Sequence, residues 1–275
     1  MSAILRLILL LSVASLSITS TTMLGQQRRN GPNAKALFEK GMDALTGTDA
    51  IGSDLNALEY FHSSADLGYP PAQDVMGYFT QTGTITPQDT GESATWFKKA
   101  AEQGDRLGQW LLGSLYYSGT GVLRDMDQAE RWLGEAANQG DPFGQYLLGL
   151  AKRERGDYVA AADLFLKAAH QGLPQAQKRL GLMLKEGPGK VGVDKTEAYI
   201  WLLLAFQAGD QTVANDLQQL EGDLGSNETE QAKRKARQLQ GAVVRTVVAR
   251  GCTGWQGEFS DIPTPPPPDL QRFCR

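Results

Sequence analysis

Apolar and small side chains recur along this chain at helical spacing, in blocks that repeat every 32 to 37 residues. Five blocks read YFHSSADLGY, WFKKAAEQGD, WLGEAANQGD, LFLKAAHQGL and WLLLAFQAGD, and contain the glycines Gly68, Gly104, Gly140, Gly172 and Gly209. A large residue stands eight positions before each glycine (Tyr60, Trp96, Trp132, Leu164, Trp201), with small ones such as Ala100-Ala101 and Ala136-Ala137 close to it. Large beside small, one turn apart, lets neighbouring helices approach and interlock. Fifteen residues before each glycine is a residue suited to cap a helix N-terminus: Ser53, Asp89, Asp125, Asp157 and Asp194. Three of these have Glu92, Gln128 or Glu197 three residues on, the pattern of a reciprocal capping box. Glycine then stops the helix, because a left-handed residue costs least without a Cβ. Cap and stop predict one helix of constant length per repeat, helix B.

A second pattern, helix A, precedes each B. Its centre carries Gly41, Gly77, Gly113, Gly149 and Gly181, with a small residue five positions earlier (Ala36, Ala72, Gly108, Gly144, Ala176). Glycine inside a helix costs about 1 kcal/mol relative to alanine, so five of them imply a close approach of helix A to its neighbours. Only the connection from the A glycine to the B cap changes length, with spacings of 12, 12, 12, 8 and 13 residues. It is glycine-rich in three copies (Thr82-Gly83-Thr84, Gly119-Thr120-Gly121, Gly187-Pro188-Gly189) and shortened to Arg155-Gly156 in the fourth. Length drift confined to one loop is how stacked repeats tolerate change. A period of this size predicts an all-α fold, a right-handed α/α solenoid of stacked helix-turn-helix repeats.

The stretch LLGSLYYSGTGVLRDMDQAERWLGEAANQGD, residues 111–141, resembles the Sel-1-like repeat, a relative of the tetratricopeptide repeat. Copies similar to it fill residues 33–68, 69–104, 105–140, 141–172 and 173–210, about two thirds of the chain. The fourth departs from the pattern, lacking the Gly-x-Gly loop and holding Leu164 in the aromatic slot, and the first is degenerate. The resemblance implies a protein that binds a protein or peptide partner rather than one that catalyses a reaction.

In tetratricopeptide-like superhelices the concave groove is faced by positions resembling those three before, one after and four after the helix A glycine. These share one side of a helix. The first slot holds Phe38, Asp74, Trp110, Tyr146 and Lys178; the second Met42, Tyr78, Ser114, Leu150 and Leu182; the third Leu45, Gln81, Tyr117, Arg153 and Lys185. Phe38, Tyr78, Trp110, Tyr117 and Tyr146, with Arg153, Lys178 and Lys185, form a candidate groove for a segment of apolar and acidic character. The competing assignment is that the aromatics form the core between repeats. A glycan-binding module, with Trp110, Tyr117 and Tyr146 stacked on sugar rings, is the alternative function.

Charge narrows the partner class. Twenty-seven basic residues against 31 acidic give a net charge of −4, or −5 without a leader carrying Arg6. Binding driven by nucleic-acid phosphates needs a basic face, so it is not expected. Residues 1–25, with Arg6 followed by a short apolar run and small polar residues, read as a signal peptide cleaved roughly within 15–25. Residues 26–32 then form a flexible lead-in, and a periplasmic or secreted chain with no membrane span follows. Cys252 and Cys274 lie beyond the repeats, and in an exported chain two cysteines most simply pair. Residues 211–250 suit helices that cap the solenoid. Residues 251–275, including Pro265 to Pro268, form a short disulfide-closed tail that either lies along the body or binds a partner.

The search for chemistry ends without a site. His62 and His170 fall on B helices of different repeats, neither with a metal-ligating companion four residues on, and no cysteine clusters with them. No nucleophile elbow, phosphate loop or zinc spacing occurs. A hydrolase, the third reading, would need an unrecognised carboxylate pair, since the aspartates in register are helix caps. No catalytic residue, metal or cofactor is expected.

Overall fold

A computed structural model describes residues 32–46 and 52–249. The expected leader (residues 1–25), Cys252, Cys274 and the expected proline-rich tail lie outside the described residues. Every regular element among the described residues is helical: α1 (Pro32–Thr46), α2 (Gly52–Asp66), α3 (Pro70–Thr82), α4 (Thr90–Glu102), α5 (Arg106–Ser118), α6 (Met126–Asn138), α7 (Pro142–Glu154), α8 (Tyr158–His170), α9 (Pro174–Glu186), α10 (Lys195–Gln207), a 3₁₀ turn (Gln211–Val213) and α11 (Ala214–Ala249). Odd-numbered helices up to α9 are the A helices and even-numbered ones the B helices. The chain divides into two compact units at Gln139/Gly140. In the first, hairpins α1–α2, α3–α4 and α5–α6 stack through contacts of α2 with α3 and of α4 with α5. In the second, α7–α8 and α9–α10 stack through α8 and α9, and α11 packs on α10.

Local chemistry sets the helix ends. The side chains of Asp89, Asp125, Asp157 and Asp194 each accept a hydrogen bond from a first-turn N–H of the B helix that follows. Asp105 and Asp141 do the same for α5 and α7. All five stop glycines are left-handed, with φ between 81° and 108°. The reciprocal half of the expected capping box is absent, because the cap N–H groups are already committed. Asp89 N–H donates to Thr80 O (2.7 Å), Asp125 N–H to Tyr116 O (3.0 Å) and Asp194 N–H to Leu184 O (2.9 Å), tying each B helix to the end of its own A helix. Glu92 Oε1 instead accepts from Trp96 Nε1 (3.1 Å).

Packing explains the helix A glycines. A Cβ on Gly41, Gly77, Gly113, Gly149 or Gly181 would stand 2.5–2.7 Å from Phe61, Phe97, Leu133, Phe165 or Leu202 respectively. Each of these five is fully buried and lies seven residues before its stop glycine, one position after the large residue at minus eight. The B helix therefore drives a knob into a notch that glycine alone leaves open. In the loops, a Cβ on Gly121 (φ 72°) would meet Thr90 O of the preceding B helix at 2.1 Å, so the second loop glycine lets one hairpin seat on the last.

A polar ladder runs beside these notches. Each A helix from α3 to α9 has a buried glutamine four residues before its glycine: Gln73, Gln109, Gln145 and Gln177. Gln103, Gln139 and Gln171, the C-caps of α4, α6 and α8, donate Nε2–H to Oε1 of Gln73 (2.8 Å), Gln109 (2.7 Å) and Gln145 (2.6 Å). Gln73 Nε2 in turn donates to Ala65 O of the previous B helix (3.2 Å), and Gln177 Nε2 to Ala169 O (3.3 Å).

Within α11, Gly225 takes φ 75° and ψ 172°, so the helix is two segments meeting at a kink. Both reach α10: Glu221 of the first accepts from Tyr199 Oη (2.6 Å), and Lys235 of the second pairs with Glu197, while Lys233 bridges the kink to Glu221 (3.3 Å). No helix among the described residues is long and apolar enough to cross a membrane.

Candidate partner-binding face

The A helices place the groove candidates in two classes. In the first unit Phe38 (1% exposed) and Trp110 (4%) are core. Phe38 meets Phe61 and Tyr69 edge-on, each at 5.4 Å. These two residues are withdrawn from the candidate groove, because three before the glycine is an inward slot in α1 and α5. Asp74, in the same slot of α3, is also buried. Tyr78 and Tyr117, one and four residues after their glycines, remain half-buried. The Arg124 guanidinium stands 5.9 Å from the Tyr117 ring centre, and its Nε donates to Tyr117 O (2.9 Å), which steadies that tyrosine at the end of α5.

In the second unit Tyr146 and Arg153 of α7 are half-buried, with the Tyr146 ring 5.8 Å from Phe165. Lys178 and Lys185 of α9 are not the free cations that the sequence suggested. Lys178 Nζ lies 3.1 Å from Asp210 and donates to Thr212 Oγ1 (2.5 Å). Lys185 Nζ donates to Asp216 Oδ1 and Gln219 Oε1, both at 2.6 Å. Burial acts to raise the Asp210 pKa, but hydrogen bonds from Thr212 and Lys178 outweigh it and hold that carboxyl below its ordinary value. Both lysines are thus spent on docking the element after α10, where they neutralise its acids.

This leaves Tyr78 and Tyr117 on one unit and Tyr146 and Arg153 on the other. Their surroundings differ in charge: residues 32–139 contain 15 acidic and 7 basic side chains, a net of −8, whereas residues 140–249 carry 13 and 14. The histidines belong to the B helices. Contrary to the sequence reading, His62 has a carboxylate four residues on, Asp66, at 3.0 Å. His62 and His170 stand edge-on to Trp96 (5.9 Å) and Trp201 (5.0 Å) of the next B helix. No group of three potential metal ligands forms among the described residues. Sequence reasoning missed the knobs at minus seven and the glutamine ladder, although the ladder's signal was there: Gln four before the A glycine in four repeats and one before the B stop in three.

A family model described as the Sel1 repeat matches residues 45–69, 70–105, 107–141, 142–173 and 174–210. No curated protein matches the chain. Among solved structures, a protective antigen present in uropathogenic Escherichia coli strains, displaying an SLR fold, is similar with a TM-score of 0.66 and 22% identity. That likeness covers 81% of this chain and 53% of the antigen, so the chain spans about half its length. A Sel1 repeat protein from Oxalobacter formigenes gives a TM-score of 0.59 and 24% identity, covering 78% of this chain and 96% of that one. Those likenesses show the fold, and the five family matches carry the assignment: the chain belongs to the Sel1 repeat family.

Proposed function

We propose that this chain is a non-catalytic scaffold that holds a segment of a partner protein against its A helices. The observation that carries the reading is the split between core and accessible positions on those helices. Rings three before the glycine in the first unit are locked inside, while Tyr78, Tyr117 and Tyr146 keep an accessible edge where side chains of a bound segment can lie. Repeats of this family generally mediate protein–protein contacts, which supports the same reading. Burial of Trp110 takes the central ring from the glycan-binding alternative.

The partner's charge follows from the ion pairs. With Lys178 and Lys185 engaged by Asp210 and Asp216, an acidic segment keeps only Arg153 of the three cations expected for it. The net −8 of residues 32–139 favours a basic segment on that unit, by the same long-range attraction that steers charged partners together. The protein works in the periplasm or outside the cell, after removal of residues up to a site within 15–25. There it regulates envelope signalling or polysaccharide and cell-wall machinery.

A photo-crosslinking amino acid placed at Tyr117 or Tyr146 tests this in cells, with Leu166 on the B face of α8 as the reference site. Crosslinks to one defined envelope protein should form from Tyr117 and Tyr146, not from Leu166, and should vanish with Tyr78→Ala while helicity is retained. Equal crosslinking from all three sites would refute the A-helix face, and a cytoplasmic location of the intact chain would refute export.

A further inference from the structure

The glutamine ladder is complete in three repeats and stops short in the fifth. There Gln177 is buried (3% exposed), its Nε2 bonded to Ala169 O as Gln73 is to Ala65 O, but its Oε1 finds no donor among the described residues. The donor that serves this acceptor elsewhere is the C-cap residue of the B helix, and in α10 that residue is Ala208. The backbone there is already right for it. Ala208 has φ −78° and ψ 0°, against −87° and 2° at Gln103, −79° and 3° at Gln139, and −83° and −2° at Gln171. Position 208 also keeps the ladder register, one residue before the stop glycine, as Gln177 keeps its own, four before the A glycine. Further buried acceptors without a donor, Gln171 Oε1 and Gln175 Oε1, fall on the same short stretch from the cap of α8 into α9.

A buried amide oxygen left without a donor disfavours the closed state, because opening returns it to water. We infer that the ladder is a register lock between A and B helices and that the fifth hairpin lacks it, so the α9–α10 pair opens ahead of the α7–α8 pair. Lys178 and Lys185 then hold α9 to the element that follows, in place of the missing amide bond, through ion pairs weakened by salt. The result is a C-terminal end able to loosen while the neighbouring hairpin stays in register.

The test is a double-mutant cycle on the full chain, read by thermal melting and by hydrogen exchange of the last turn of α10. Ala208→Gln should supply the donor, raise the melting temperature by roughly 2–4 °C and slow exchange there severalfold. In a Gln177→Met background, which keeps volume and removes the acceptor, the same change should do nothing. Gln171→Ala, which removes an existing rung, should speed exchange in the last turn of α8. An Ala208→Gln variant that is no more stable than the parent, or equally stabilised with and without Gln177, overturns the inference. So does slower exchange in the parent's α10 last turn than in that of α8.

Discussion

Replacing Gly77 by alanine isolates the notch that joins the two helices of a repeat. Two effects oppose each other. Alanine within α3 improves helix propensity by about 1 kcal/mol. Its methyl group would lie 2.5, 2.6 and 2.9 Å from three carbons of the Phe97 ring, where real contacts are essentially never found. Phe97 is fully buried and has nowhere to retreat, and overpacking of this kind costs roughly 1–3 kcal/mol before any propensity gain. Three contacts this short place the cost toward its upper end, so the steric term wins: Gly77→Ala should lower stability by up to about 2 kcal/mol net, a fall in melting temperature of several degrees by circular dichroism at 222 nm. Gly134 is the control within the same unit. It is also helical, but a Cβ there meets nothing within 4 Å, so Gly134→Ala should raise stability by up to about 1 kcal/mol. In a Phe97→Ala background, where the ring is gone, Gly77→Ala should turn stabilising. If Gly77→Ala melts at or above the parent temperature while Phe97 is intact, the knob-and-notch account of the repeat is wrong.

Trp110→Ala should cost roughly 3–5 kcal/mol in urea denaturation, because it empties a core site 4% exposed, whereas Tyr117→Ala, at a half-buried site, should cost markedly less. Tyr199→Phe removes the hydrogen bond to Glu221, a carboxylate that solvent still reaches, and should destabilise the α10–α11 cap by about 1 kcal/mol at neutral pH. Glu221 is held below its ordinary value of 4.5 chiefly by that bond, against the opposing effect of burial and with help from Lys233, so its contribution is present above that value and lost as pH falls through the depressed pKa. The gap between parent and Tyr199→Phe in urea melts should therefore close in acid. Burial, with the charges of Glu39 and Asp105, pushes the Tyr69 pKa up to about 12, so stability is untouched by its ionisation below about 10 and falls as pH rises through 12. The Tyr69 hydroxyl is buried without a hydrogen-bond partner, so Tyr69→Phe should be neutral or stabilising at pH 7 and should delete one late step from the tyrosinate absorbance titration.

The period, the aspartate caps, the left-handed stops and hence the number and order of the helix pairs could all be read from the sequence. Each depends on a residue's own backbone preference or on bonds spanning two to four positions, as when Asp125 accepts from Asp127 N–H and Gln128 N–H. The need for close approach at the A glycines was also visible, since five repeated helix-weakening residues require a compensating contact. Which side chain makes that contact was not. The positions at minus eight and minus seven differ by about 100° around the B helix, and only the facing of the hairpins decides that Phe97 enters the notch while Trp96 lies beside it with Lys99 over its ring. The same facing drew Phe38 and Trp110 inward, gave Lys178 and Lys185 to acids more than thirty residues away, and diverted the cap N–H groups to the ends of the A helices. Local conformational energy writes the repeat into the chain. The identity of what each face touches is a property of surfaces brought together from distant sequence, and that is fixed only when the hairpins stack.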